Sequence, residues 1–244
     1  MFKFYQTTVG KKLVMAISGM VLFIFVLGHM LGNLKIFQGL DAQTGEYKID
    51  IYGKFLREVG YPLFGHGELL WIVRGILLLA LLLHVLAAIQ LTLTNKKSRG
   101  QGYALQKQNE TTYAARTMRL TGILLLFYIV YHILHFTTGQ VHFQGFEHGK
   151  VYANAVSSFR VLPIVLVYVV SMVLLCFHLY HGVWSGFQTM GLAERFGQKT
   201  LQILSKLIAV LILIGYISVP LAAYFGMLKP PQNQESHQLE IPLP

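Results

Sequence analysis

Leu69–Leu93 reads LLWIVRGILLLALLLHVLAAIQLTL, an apolar run whose ionisable side chains are Arg74 and His84. At 1.5 Å per helical residue, about 20 residues cross the roughly 30 Å of hydrocarbon in a bilayer, and this stretch exceeds that length. Inside lipid the backbone must satisfy its own N–H and C=O groups, which an isolated strand cannot do. The run therefore predicts a transmembrane helix.

Four further runs have the same character: Leu13–Leu34, Met118–Thr138, Val161–Phe187 and Leu204–Phe225. With 54% apolar and 12% charged residues, the chain is far more hydrophobic than an ordinary soluble domain. The fold class expected is an all-α integral membrane protein with five transmembrane helices. Residues 1–228 form that domain, and residues 229–244, KPPQNQESHQLEIPLP, form a polar, proline-rich tail.

The formal charge of +10 does not point to nucleic acid, because the lysines and arginines sit beside the apolar runs and form no basic stripe with interleaved aromatics. They are denser in the amino terminus, in the second connection (Lys96, Lys97, Arg99, Lys107, Arg116, Arg119) and in the fourth (Arg195, Lys199, Lys206). The positive-inside rule then puts the amino terminus in the cytoplasm and the carboxyl terminus outside a prokaryotic cytoplasmic membrane. Lys3, Lys11 and Lys12 precede a run too long for a signal peptide and without an obvious cleavage site, so it is read as a retained span. Tyr47–Phe64 and Val151–Phe159 are candidates for interfacial helices in the outer connections.

Cys176 is the single cysteine, which excludes an intrachain disulfide, a thiolate metal site and covalent haem attachment. Four of the five spans contain histidine: His29; His84; His132 with His135; and His178 with His181. An ionisable group in a span is costly unless it faces the bundle interior and has a partner. For one such residue an interhelical hydrogen bond is as good an explanation as ligation.

Depth separates the two explanations. On an estimate of 1.5 Å per residue, His29 lies about 8 Å and His132 about 6 Å to the outer side of their span centres, while His84 lies about 4 Å and His181 about 10 Å to the inner side. These matched depths suit two stacked b haems, each held by two histidines, surrounded by helices one to four and roughly 14 Å apart along the membrane normal. Iron with two histidine ligands has no open position and favours electron transfer. His135 and His178, three residues from His132 and His181, share their neighbours' helix faces and stay open as alternatives. Gly28, Gly32, Gly182 and Gly186 near the histidines would permit close approach of a macrocycle or of another helix. Arg160 and Arg74 are the outer candidates for the propionates, with Lys11, Lys12, Ser18 or Arg119 inside.

KLVMAISGM at 12–20 leading into GHM at 28–30, LLLHVLAA around His84, RLTGILLLFYIVYH ending at His132, SSFR at 157–160 and HG at His181 occur in this order. With them the chain resembles the single-polypeptide dihaem cytochrome b anchor of succinate:quinone oxidoreductases, the succinate dehydrogenases and fumarate reductases. The resemblance implies axial ligands at His29, His84, His132 and His181, paired first helix with third and second with fourth. It implies menaquinone or another quinone as substrate, and a flavoprotein (FAD) subunit and an iron–sulfur subunit on the cytoplasmic face. The chain alone would have no complete catalytic site.

The resemblance also implies a quinone-site glutamate near the outer end of the second helix, for which Glu58 is the nearest match and Glu68 the alternative. Some fumarate reductases carry a membrane-embedded glutamate two residues before the fourth ligand, where this chain has Leu179. No Asp or Glu lies inside any span, which tilts the expectation to succinate oxidation. His66, His142, His148 and His237 lie in connections or the tail, where a solvated role is expected and quinone protonation is the alternative. Competing readings are the dihaem subunit of a respiratory nitrate reductase and a haem-free membrane anchor or transporter.

Overall fold

The computed structural model describes residues 5–98, 113–143 and 145–231. The tail from residue 232, with His237, and Arg99 and Lys107 of the second connection lie outside the described residues. In chain order the helices are α1 (Thr8–Asn33), α2 (Lys48–Glu58), α3 (Glu68–Ser98), α4 (Tyr113–Phe136), α5 (Val151–Ser158), α6 (Leu162–Thr189), α7 (Leu192–Phe196) and α8 (Gln198–Tyr224). A 3-10 turn, Leu34–Gln38, extends α1, and no strand occurs among the described residues. Five helices, α1, α3, α4, α6 and α8, are long and apolar enough to cross a membrane. The protein is an all-α, multi-pass membrane protein.

Several helices run past the apolar windows read from sequence. α3 continues through Thr94 to Ser98, and α8 starts at Gln198, upstream of Leu204. Polar residues end an apolar window without ending a helix, because the backbone hydrogen-bond ladder continues into the membrane interface. Termini are set by local chemistry instead. Thr7 Oγ1 accepts the Gly10 N–H at 3.0 Å and caps α1. Pro163 occupies the first turn of α6, where no backbone donor is needed.

α6 lies at the centre, packed along α8, α4 and α1, while α3 packs chiefly along α1. α1 does not pack closely on α4, nor α3 on α6, although each pair carries histidines. Outward-facing side chains are apolar and bare, among them Leu79 at 58%, Phe127 at 69% and Leu211 at 64%. Such continuous apolar exposure is untenable in water and appropriate to a lipid-facing wall.

At one end of the bundle α2 and α5 form a lid over the ends of α6 and α8. Ile36, Ile49, Val156, Phe159, Tyr168 and Ala223 share the apolar core beneath it. Asp50 of α2 caps α5, its Oδ1 accepting the Tyr152 N–H at 2.9 Å. Burial pushes the Asp50 carboxyl above its usual value, against the pull of the Tyr152 and Val151 backbone N–H groups. The Tyr47 and Tyr152 rings stack at 3.5 Å. This is the capped end, and the C-termini of α1, α4 and α8 and the N-termini of α3 and α6 reach it.

Candidate functional site

His29 of α1 and His132 of α4 meet near the capped end, their ring centroids 5.8 Å apart and their planes at 77°. A metal–imidazole nitrogen bond is about 2.0 Å and a ring centroid sits roughly 1 Å behind its nitrogen, so two imidazoles across one metal have centroids about 6 Å apart. The angle between planes is free, since both planes contain the metal axis. Phe25 stacks on His29 at 5.3 Å and Tyr128 on His132 at 5.8 Å, holding each ring.

Nearer the opposite end, the ring facing His84 of α3 is that of His178, with centroids 6.2 Å apart at 62°. His181 instead turns toward Trp184, with which it makes an edge contact at 5.8 Å. This departs from the pairing of His84 with His181 read from sequence. The two candidates differ by three residues, which leaves them about 60° apart around a helix, and the rotation of α6 set by its packing on α8 decides which one faces α3.

Hydrogen bonds fix the tautomers of His84 and His178. His84 Nδ1 lies 3.1 Å from the Met15 carbonyl, which can only accept, so Nδ1 carries the proton and the Nε2 lone pair is free. Thr121 donates its hydroxyl to the Met118 carbonyl at 3.0 Å, so toward His178 Nδ1 at 3.4 Å it accepts. His178 Nε2 is thereby also left with a lone pair. A histidine metal ligand is commonly oriented in this way, its second nitrogen bonded to the surrounding protein. Gly19 gives the His84 imidazole room, since a Cβ there would lie 3.1 Å from His84 Cε1.

His135 is fully buried, and both its nitrogens are engaged: Nδ1 with the Tyr168 hydroxyl at 2.9 Å and Nε2 with the Ser158 hydroxyl at 3.1 Å. Tyr168 also reaches His132 Nδ1 at 3.3 Å, and Ser158 reaches His142 Nε2 at 2.9 Å. An unbroken chain thus runs from His132 through Tyr168, His135 and Ser158 to His142. From sequence His142 is expected in a connection, solvated or, alternatively, serving quinone protonation, and nothing in its local sequence signals the chain. Its members lie on α4, α5, α6 and a loop, and only the fold gathers them.

The remaining sequence candidates are dispersed. Arg160 is exposed just after α5. Arg74 is exposed on α3 and lies over the Trp71 ring at 4.7 Å. Glu58 is exposed at the end of α2, and Glu68 Oε2 accepts the Gly65 N–H at 3.0 Å. A Cβ on Gly28, Gly182 or Gly186 would meet nothing within 4 Å, so these glycines are not points of close helix contact. Gly32 is one, against Tyr52 at 2.8 Å.

Residues 94–216 match the family model described as succinate dehydrogenase/fumarate reductase transmembrane subunit. The match covers half of the chain, from the end of α3 into α8, and includes His132, His135, His178 and His181. No curated protein and no solved structure matches the chain.

Proposed function

Because the chain belongs to the succinate dehydrogenase/fumarate reductase transmembrane-subunit family, we propose that it is the dihaem anchor of such a complex. In this reading one b haem lies between His29 and His132 and the other between His84 and His178. The capped end then faces outside, and a flavoprotein and an iron–sulfur subunit dock on the opposite, cytoplasmic face. Held by a pair of histidines each, the haems would supply one-electron transfer between that module and a quinone in the membrane.

The observation that carries the reading is two facing imidazole pairs at 5.8 and 6.2 Å, on helices that do not pack closely on each other. Met15 and Thr121 hold His84 and His178 with Nε2 available. Tyr168 does the corresponding work at His132 Nδ1. His135 is spoken for at both nitrogens, so its role is to support His132. His181 Nδ1 and Trp184 Nε1, about one and nearly two turns beyond His178, are buried without a partner, which suits them as donors to polar groups at a haem edge.

Family membership removes the nitrate reductase and transporter readings. Against a haem-free anchor stand the oriented histidine pairs, which a structural hydrogen bond does not require. With His178 as ligand, the position two residues before it is Cys176, again not a carboxylate. The absence of a carboxylate from this part of the span still favours succinate oxidation. Glu58 is retained only as the quinone-site proton group implied by resemblance, and Arg160 and Arg74 as propionate donors.

The test is a reduced-minus-oxidised spectrum of the purified protein with a haem-to-polypeptide ratio. Two b haems per chain are expected. A ratio near zero in intact protein overturns the reading.

A further inference from the structure

The chain from His132 to His142 has a direction once His132 is read as an iron ligand, a reading on which this inference rests. Ligation through Nε2 leaves His132 Nδ1–H to donate to Tyr168. Tyr168 then donates to His135 Nδ1, and His135 Nε2–H donates to Ser158. In the tautomer that continues this chain, Ser158 donates to His142 Nε2 at 2.9 Å and the proton of His142 sits on Nδ1. That Nδ1 is buried and has no hydrogen-bond partner.

A buried N–H without an acceptor costs about 1–3 kcal/mol, so such a group marks a place where an acceptor belongs. Aromatic rings flank it: Phe146 lies 5.4 Å and Phe136 6.3 Å from the His142 ring. The loop that carries it is pinned to α5, because Asn154 accepts the Glu147 N–H at 3.1 Å and donates to the Glu147 carbonyl at 2.7 Å. We infer that His142 is a head-group contact for a quinone at the capped end, its Nδ1–H donating to a quinone carbonyl oxygen.

A second hydrogen bond makes the site fit both forms of the couple. His142 Nε2 also lies 3.3 Å from the Asn154 carbonyl, which accepts if the proton moves to Nε2. Nδ1 then becomes an acceptor, the complement of a quinol hydroxyl. One imidazole thus serves quinone in one tautomer and quinol in the other, and in the second its Nε2–H donates to the Asn154 carbonyl instead of accepting from Ser158.

The probe is a fluorescent hydroxyquinoline N-oxide, a quinol mimic, titrated into the purified, haem-loaded protein, with haem content and spectrum measured on the same samples. His142→Phe is expected to weaken probe binding about tenfold or more, equivalent to about 1.4 kcal/mol. Ser158→Ala is expected to weaken it less, and His142→Gln, which keeps an N–H donor, to retain most of the affinity. Both haems are expected to stay bound in all three variants. Unchanged probe affinity in His142→Phe with both haems present overturns the assignment of His142 alone. So does a shifted haem spectrum with unchanged probe affinity, which would mean that Nδ1–H serves a haem propionate. Haem missing from the wild-type protein overturns the underlying haem reading, and with it the direction of the chain.

Discussion

At the capped end the facing pair His29–His132 is joined to a hydrogen-bond network that crosses three helices, whereas at the opposite end His84 and His178 each have one anchor. The capped-end network runs through Tyr168, His135 and Ser158 and is roofed by α2 and α5. The opposite anchors are the Met15 carbonyl and the Thr121 hydroxyl. The two ends hold imidazoles at nearly the same separation but tie them to different extents of the protein. Changes near one pair should therefore spread, and changes near the other should stay local.

The comparison breaks most sharply if the pairs are not ligands. His132→Ala is expected to halve the haem content and remove one of two spectral components, as measured by difference spectroscopy. At the other end, His178→Ala should also halve it, while His181→Ala should leave both haems bound. The reverse result would mean that α6 is rotated by about 60° from this orientation.

A smaller effect tests the network itself. Tyr168→Phe leaves His135 Nδ1 buried without its donor, a cost of about 1–3 kcal/mol. Both haems should remain, but potentiometric titration should show the potential of the capped-end haem moved and the other unchanged. Equal shifts in both would show that the ends are not independent.

The smallest expected effect concerns the lid. Burial raises the Asp50 carboxyl above its ordinary value, so the folded state holds a proton that the unfolded chain releases first. The associated stability is full below the ordinary carboxylate range and is lost as pH rises through the raised value. Hydrogen exchange of α5 amides should accelerate over that rise in the wild type. Asp50→Asn, which keeps an acceptor for the Tyr152 N–H, should remove the dependence.

Five spans and the histidines within them were legible in the chain because both signals are local. Hydrophobicity summed over a window determines which segments enter lipid, and an intramembrane histidine is conspicuous there by its cost. Depth along each span also followed from counting, and it brought His29 together with His132. Counting fails for residues a single turn apart. His178 and His181 share a helix and nearly a depth, and only the packing of α6 turns the first of them to His84. The reach of α8 back to Gln198 was likewise hidden, because a polar residue ends an apolar window but not a helix.

By itself, then, the sequence determined that this is a membrane bundle with histidines at two levels, since insertion and axial rise depend on residue type and number alone. Tertiary structure alone decided which imidazoles face each other and that His142 ends a chain begun at His132. Azimuth around a helix axis and the folding of a loop onto α5 are set by contacts between segments far apart in the chain, which no local window contains.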